Sequence, residues 1–240
     1  MKKIYLSTLI VVAVISLTVL SSCRFRCVKG SGHQVTENRK GGDFTRIDIS
    51  GGFKVVLKQD SSLTLNINAD DNLMQYIRSS FSDGRLKIYN KRSICGSGEI
   101  VLTIGVKNLE EIKSSGAITL NTDGKLNTKD LHIDLSGGSK VDMDLNAANV
   151  TTEGSGSTDL TLKGQATSHK VNLTGSGKIS ALDFVVGSYS IETTGASDCQ
   201  INVLNDLTVN TTGAADIKYR GNPTKVNSSK TGAATLTKIN

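Results

Sequence analysis

The sequence predicts an all-β chain, a β-solenoid with about 19–21 residues per coil and an irregular N-terminal portion. Three observations carry that expectation: a glycine step recurring at near-constant spacing, period-two alternation between the glycines, and a scarcity of helix signals. The glycine anchors are Gly116, Gly137, Gly156, Gly175, Gly195, Gly213 and Gly232, at intervals of 21, 19, 19, 20, 18 and 19. Ser or Thr precedes every anchor: Ser115, Ser136, Ser155, Thr174, Thr194, Thr212 and Thr231. The residue after it is always small, as in Ala117, Gly138, Ser157, Ser176, Ala196, Ala214 and Ala233. Four residues beyond each anchor stands an apolar side chain: Leu120, Val141, Leu160, Ile179, Cys199, Ile217 and Leu236. A fixed period near twenty residues is the mark of a stacked repeat. Stretches such as Leu131-His132-Ile133-Asp134-Leu135 alternate as half-buried strands do.

In chain order, Lys2 and Lys3 precede an apolar run from Ile4 to Leu20, then Leu20-Ser21-Ser22-Cys23. A charged start, an apolar stretch and small residues before a cleavage point describe an export leader over residues 1–22. Its ending resembles the lipobox of bacterial lipoproteins, in which the cysteine, here Cys23, is diacylated and becomes the new N-terminus. Two acyl chains give a stable anchor where one is marginal, so the expected partner is a membrane. Residues 23–42 are polar and glycine-containing without pattern, and read as a flexible tether.

The body is expected over residues 43–240 as one domain. It starts with a looser version of the repeat, Ile47-Asp48-Ile49-Ser50-Gly51-Gly52-Phe53-Lys54-Val55. Strand-like runs follow at Leu63–Ile67, Leu86–Ile88 and Ile100–Ile104, with Asp70–Ile77 as a short helix or cap. Terminal repeats are atypical because they shield the core's end. At the other end the repeat runs almost to Asn240, and an open last coil is an edge-strand liability. Self-association is therefore expected there.

Each anchor glycine marks a corner that needs positive φ or close approach to the coil beneath, which only glycine allows cheaply. Cys199 lies on the inward apolar ladder and reads as a small buried hydrophobe. An exported chain can form disulfides. With Cys23 lipidated, Cys27, Cys95 and Cys199 remain, and Cys27 with Cys95 is the pairing to entertain.

Few residues suggest chemistry. His33, His132 and His169 lack metal-ligand spacing, and no Cys-x-x-Cys pair exists. Gly154-Ser155-Gly156 lacks the Gly-Lys-Ser/Thr ending of a phosphate loop. Asp159, Asp198 and Asp216 each stand three residues after an anchor, so they share one face; Asp198 and Asp216, one coil apart, would be close enough to raise one pKa or hold a cation. Thr119, Lys140, Lys178 and Thr235 share that column, which favours an ordinary solvated ladder. A sugar-cleaving site would also want aromatic platforms, and the chain has no Trp and 4% aromatics. No catalytic, metal or cofactor residue is assigned. The formal charge of +6 falls to +4 without Lys2 and Lys3, too diffuse for nucleic acid but suited to anionic lipid heads.

The body resembles the head GIN domain family of auto-transporter adhesins, found in secreted proteins of Bacteroidetes and relatives. The resemblance rests on Phe44-Thr45-Arg46-Ile47-Asp48-Ile49-Ser50-Gly51-Gly52-Phe53-Lys54-Val55-Val56-Leu57, on Asp83-Gly84-Arg85-Leu86-Lys87-Ile88, and on Val106–Ala117. The family often has Pro where this chain has Asn108. The resemblance implies a β-helical solenoid, commonly with a lipoprotein leader, and supplies no catalytic residues. The leading expectation is thus a lipid-anchored envelope module that binds or adheres, to a glycan or a protein, without catalysis. A periplasm-facing structural or signalling lipoprotein is the alternative, and a polysaccharide-active β-helix enzyme the third reading. In lipoproteins of that bacterial group, acidic residues after the lipidated cysteine accompany surface export; Arg24, Phe25 and Arg26 stand there instead. That tilts the expected location toward the periplasmic face of the outer membrane.

Overall fold

The computed structural model describes residues 27–240. The export leader and Cys23 lie outside them. The described chain is all-β apart from a 3-10 helix at Asp71–Tyr76, and no closed barrel forms among the described residues. The strands are β1 (Val28–Lys29), β2 (Gln34–Lys40), β3 (Arg46–Gln59), β4 (Thr64–Asp70), β5 (Ile77–Ser82) and β6 (Arg85–Asn90). Then come β7 (Ile94–Cys95), β8 (Val101–Val106), β9 (Glu111–Asn127), β10 (Asp130–Arg220), β11 (Lys225–Thr231) and β12 (Ala234–Lys238).

Pairing follows the sequence period. In β9 and β10, Ile112 faces Ile133 and Gly116 faces Gly137; farther on, Leu207 faces Val226 and Ile217 faces Leu236, all in parallel register. β10 is 91 residues long and would span roughly 300 Å if extended. Instead, its anchor glycines lie one upon another. A Cβ built on Gly137 would sit 2.7 Å from the carbonyl oxygen of Gly116, and one on Gly213 would sit 2.4 Å from that of Gly195. The eight glycines of the column, from Gly51 through Gly232, have φ between 93° and 134°, which L side chains adopt only with strain. Glycine is thus required at each corner for both conformation and space.

The inward ladder behaves as its pattern predicts. Leu120, Val141, Leu160, Ile179, Cys199 and Ile217 are all at most 1% exposed, and Leu236 is partly buried. Each such side chain contributes about 1.5–3 kcal/mol by leaving water. Cys199 is free and buried, and burial pushes its thiol pKa up to about 12.

β3 receives β9 along one edge; along the other it receives two short wings, β6 with β5, and β8 with β4 and β2. Arg39 of β2 ties the wings together by donating to the Ile77 carbonyl and the Ser79 hydroxyl, each at 3.0 Å. The tether expected over 23–42 is therefore corrected. β1 pairs with β7, and the whole of β2 runs antiparallel to β4, Gln34 facing Asp70 and Lys40 facing Thr64. Only Val35 and Arg39 of β2 are half-buried. An edge strand needs no apolar alternation to pair, which is why its polar sequence reads as a linker. Cys27 is bonded to Cys95, with Cα atoms 5.6 Å apart.

At the far end, β11 and β12 put Val226, Ser228 and Lys230, and Leu236 and Lys238, opposite Leu207, Val209 and Thr211, and Ile217 and Tyr219. Lysine thus stands in the last layer opposite buried Thr211 and half-buried Tyr219.

Candidate functional site

Two members of the acidic column predicted from sequence line an open groove, and one of them, Asp216, is ion-paired. The anchors Gly175, Gly195 and Gly213 stack. Lys178, Asp198 and Asp216, each three residues on, accordingly line one open groove of about 580 Å³ with Ser176, Ser197 and Thr235. Asp159 is half-buried and is not among its lining residues. Asp216 takes a hydrogen bond from the Thr235 hydroxyl and lies 2.8 Å from the Lys218 amine. The Lys218 amine, then the Thr235 hydroxyl, hold the Asp216 carboxyl below the usual carboxylate range, and the same contact raises Lys218. Asp216 is thus not the raised carboxyl that a dyad would need; its ion pair suits the solvated ladder that the mixed signs of the column favour. Among the described residues no cluster of three or more His, Cys, Asp or Glu could hold a metal ion. The groove offers fixed charges of both signs and hydroxyls, the chemistry of polar recognition.

A larger open groove, about 740 Å³, lies at the opposite end, where β3 turns its corner beneath the β6–β8 connection. Gly51, Phe53, Asn90, Arg92, Ser97 and Thr119 are among its lining. Lys54 donates to Glu99 at its side at 3.0 Å. The Asn90 side-chain oxygen is buried there without a partner among the described residues. The sequence did not single this groove out, because it is made by two wings brought together over a corner.

The three histidines part company. His33 is exposed and His132 half-buried, 3.6 Å from Asp71 and 4.0 Å from Glu153. His169 is buried, its Nε2 3.0 Å from the Thr152 hydroxyl and its Nδ1 3.1 Å from the Tyr189 hydroxyl. The Phe184 ring stands edge-on at 5.8 Å. Burial lowers the imidazole pKa to about 3, so the ring is neutral; burial also raises that of Tyr189. The register, His169 thirteen residues after Gly156 as Val150 follows Gly137, places this ring in a core column, a signal available from the repeat alone.

At the wings, Arg85 makes a double hydrogen bond to Glu111, at 2.8 and 3.1 Å, which lowers the Glu111 pKa and raises that of Arg85. No helix of the described residues is long and apolar enough to cross a membrane; Cys23 lies outside them.

A family model described as "Putative auto-transporter adhesin, head GIN domain" matches residues 43–223. The chain belongs to this head GIN family. Among solved structures, a putative adhesin from Bacteroides fragilis is similar at TM-score 0.84 and 24% identity, over 88% of this chain and 100% of that one. A putative lipid binding protein from Parabacteroides distasonis is similar at TM-score 0.72 and 18% identity, over 90% and 100%. A putative adhesin from Parabacteroides merdae follows at TM-score 0.62 and 20% identity, over 89% and 99%. Such identities carry the fold to this head GIN chain and no more. No curated protein matches the chain.

Proposed function

We propose that this head GIN protein is a non-catalytic binding module of the bacterial envelope, built as a β-solenoid and held at the outer membrane through a lipid on Cys23. The family match over residues 43–223 is the observation that carries the reading. The stacked glycine column supports the solenoid: parallel register at offsets of 21 and 19 residues is what coils of one repeat each would produce. Such a body is rigid and repeats its surface at the strand spacing, about 4.8 Å. Along it run polar rungs that bond to one another, as Asn149 to Asp130 at 2.7 Å and Ser168 to Asn149 at 2.8 Å. With the groove of Lys178, Asp198 and Asp216, they suit a hydroxyl-rich glycan or an extended peptide. The Asp216 carboxyl, paired with Lys218, is a poor proton donor near neutrality, which weighs against a hydrolytic role for that pair.

The test is protease shaving of intact cells, followed by immunoblotting of the body beside a periplasmic control. Loss of the body while the control survives supports an adhesive role outside the cell. Survival until the outer membrane is opened overturns adhesion. It then favours a periplasm-facing module, for which Arg24, Phe25 and Arg26 after Cys23 argue. If Asp198→Asn with Asp216→Asn leaves any measured turnover on polysaccharide intact, the enzymatic reading of that groove falls.

A further inference from the structure

The disulfide bears on where the N-terminus can be. Cys27 is bonded to Cys95, and the neighbouring β1–β7 pair is tightened by the Val28 amide donating to the Ser93 carbonyl at 2.8 Å. Only four residue steps separate Cys27 from Cys23, a reach of at most about 14 Å when extended. Taking the lipid-anchor reading of Cys23 as its premise, the end of the molecule carrying the disulfide is held near the lipid headgroups. That distance is less than about two Debye lengths at physiological ionic strength.

The same end is the basic one. Residues 27–108, which form β3 and the wings at this end, hold twelve Lys and Arg against eight Asp and Glu. Residues 109–240 hold twelve against fourteen. Lys29, Arg78, Lys87, Lys91 and Arg92 lie on β1, on the β5–β6 wing or on the turn that follows it. All five are exposed, and none has a carboxylate within 4.0 Å among the described residues. Four of them are also contiguous, Arg78, Lys87, Lys91 and Arg92: the Lys91 amide donates to the Tyr76 carbonyl at 2.8 Å, and the Arg92 guanidinium lies 5.6 Å from the Tyr76 ring centre. Arg78 faces Tyr89 across the β5–β6 pair, and the Lys87 amine lies 5.9 Å from the Tyr89 ring centre. Two carboxylates of this end are already engaged, Glu99 by Lys54 and Asp71 by Ser31. Tyr89 is 39% exposed, and a tyrosine with an apolar body and a polar tip suits a membrane–water interface.

We infer that this cluster around Lys87, Lys91 and Arg92 docks on the phosphates of anionic lipid headgroups, setting the body end-on to the bilayer that carries its anchor. Each basic side chain near an anionic surface is attracted by enough that removing three shifts the docked–undocked balance on the order of a hundredfold. The far coil, with its own polar groove, then projects away from the membrane.

The experiment uses the full chain purified in detergent from the membranes of expressing cells. It is mixed with vesicles of phosphatidylcholine alone or of phosphatidylcholine with phosphatidylglycerol, and read by flotation and by amide hydrogen exchange over residues 76–96. Flotation with neutral vesicles reports the anchor. Protection of 76–96 on the anionic vesicles alone, lost at high salt and in Lys87→Gln/Lys91→Gln/Arg92→Gln, reports the docking surface. Flotation on both vesicles with equal exchange on both overturns the docking surface and leaves the anchor standing. Flotation on anionic vesicles alone supports the surface and overturns the anchor. Flotation on neither overturns both. A melting curve of the triple variant matching the wild type shows that loss of protection is not loss of fold, and the salt dependence of the wild type gives the same answer without any substitution.

Discussion

The buried ring of His169 makes the stability of this protein fall with pH in a window that its carboxylates leave quiet. In the folded chain the imidazole sits between the Thr152 and Tyr189 hydroxyls, and its pKa is about 3. In the unfolded chain it returns to the ordinary value of 6.5. Above pH 6.5 both states hold a neutral ring, and the site adds no pH dependence. Below it the unfolded chain takes up a proton that the folded chain refuses until about pH 3, so stability drains away over that interval. Between pH 7.5 and pH 5.0 the loss is about 2 kcal/mol, from 1.36 kcal/mol per pH unit below the unfolded pKa. That corresponds to roughly 4–8 °C in Tm for a chain of this size. The shifted carboxylates, Glu37, Asp60, Asp71, Glu111 and Asp216, are all lowered from values of 4.5 or 3.8, so they cost stability at lower pH. The assay is urea unfolding of the wild type and of His169→Gln at pH 7.5, 6.5, 5.5 and 5.0, where the amide side chain can still bond both hydroxyls but does not titrate. His33 and His132 are present in both proteins and cancel in the difference. The wild type should lose about 2 kcal/mol more than the variant across that range. Equal slopes, or a His169 resonance titrating near its ordinary value in the folded protein, would refute the account.

Three further outcomes follow from particular contacts. Gly137→Ala puts a methyl 2.7 Å from the Gly116 carbonyl at φ 93° and should cost about 2–4 kcal/mol. The adjacent Gly138→Ala meets nothing within 4 Å and should melt within about 1 °C of wild type; equal melting of the pair would sink the corner argument. Reducing Cys27–Cys95, which closes a separation of 68 residues, should remove roughly 4 kcal/mol. It should also speed amide exchange in β1 and β7 by more than in β10, which answers only to the global loss, and exchange that rises evenly along the chain would contradict this. Replacing Lys230 and Lys238 by Thr and Tyr gives the last layer the uncharged residues of the one above it, and should produce concentration-dependent oligomers by light scattering. A variant that stays monomeric would show that those lysines do not guard the edge.

The repeat was legible because stacking imposes one demand per corner. Any side chain at Gly137 or Gly213 would strike a carbonyl, so the chain has glycine there, and the period stands in plain view. The inward ladder was legible for the same reason, down to Cys199. β2 was hidden because an edge strand with two half-buried residues answers to its partner's backbone and needs no apolar pattern of its own. The Arg85–Glu111 pair was hidden because β6 reaches it across 26 residues through a wing that lies outside the repeat. Asp216 was placed correctly on its column, yet its partner is Lys218, two residues along the same strand, and the column view looks only across coils. The spacing between histidines says nothing of His169, whose burial is legible only from its column, where it follows Gly156 as buried Val150 follows Gly137.

The two ends of the molecule carry opposite solutions to one problem. A stack of parallel strands exposes a pairing edge at each end, and each edge invites another chain. At the N-terminal end, β6 and β8 occupy the free edge of β3, and the disulfide fixes the connection between them to β1. The edge of β3 is thereby covered, and the free edges move outward to β5 and to β2, whose residues are polar and mostly exposed. At the C-terminal end, β11 and β12 remain uncovered, and Lys230 and Lys238 stand where Thr211 and Tyr219 stand one layer above. That edge is guarded by charge, at the cost of a last layer that buries little. The uncovered C-terminal edge is therefore where a further strand could add, and Lys230 and Lys238 are the side chains that oppose it.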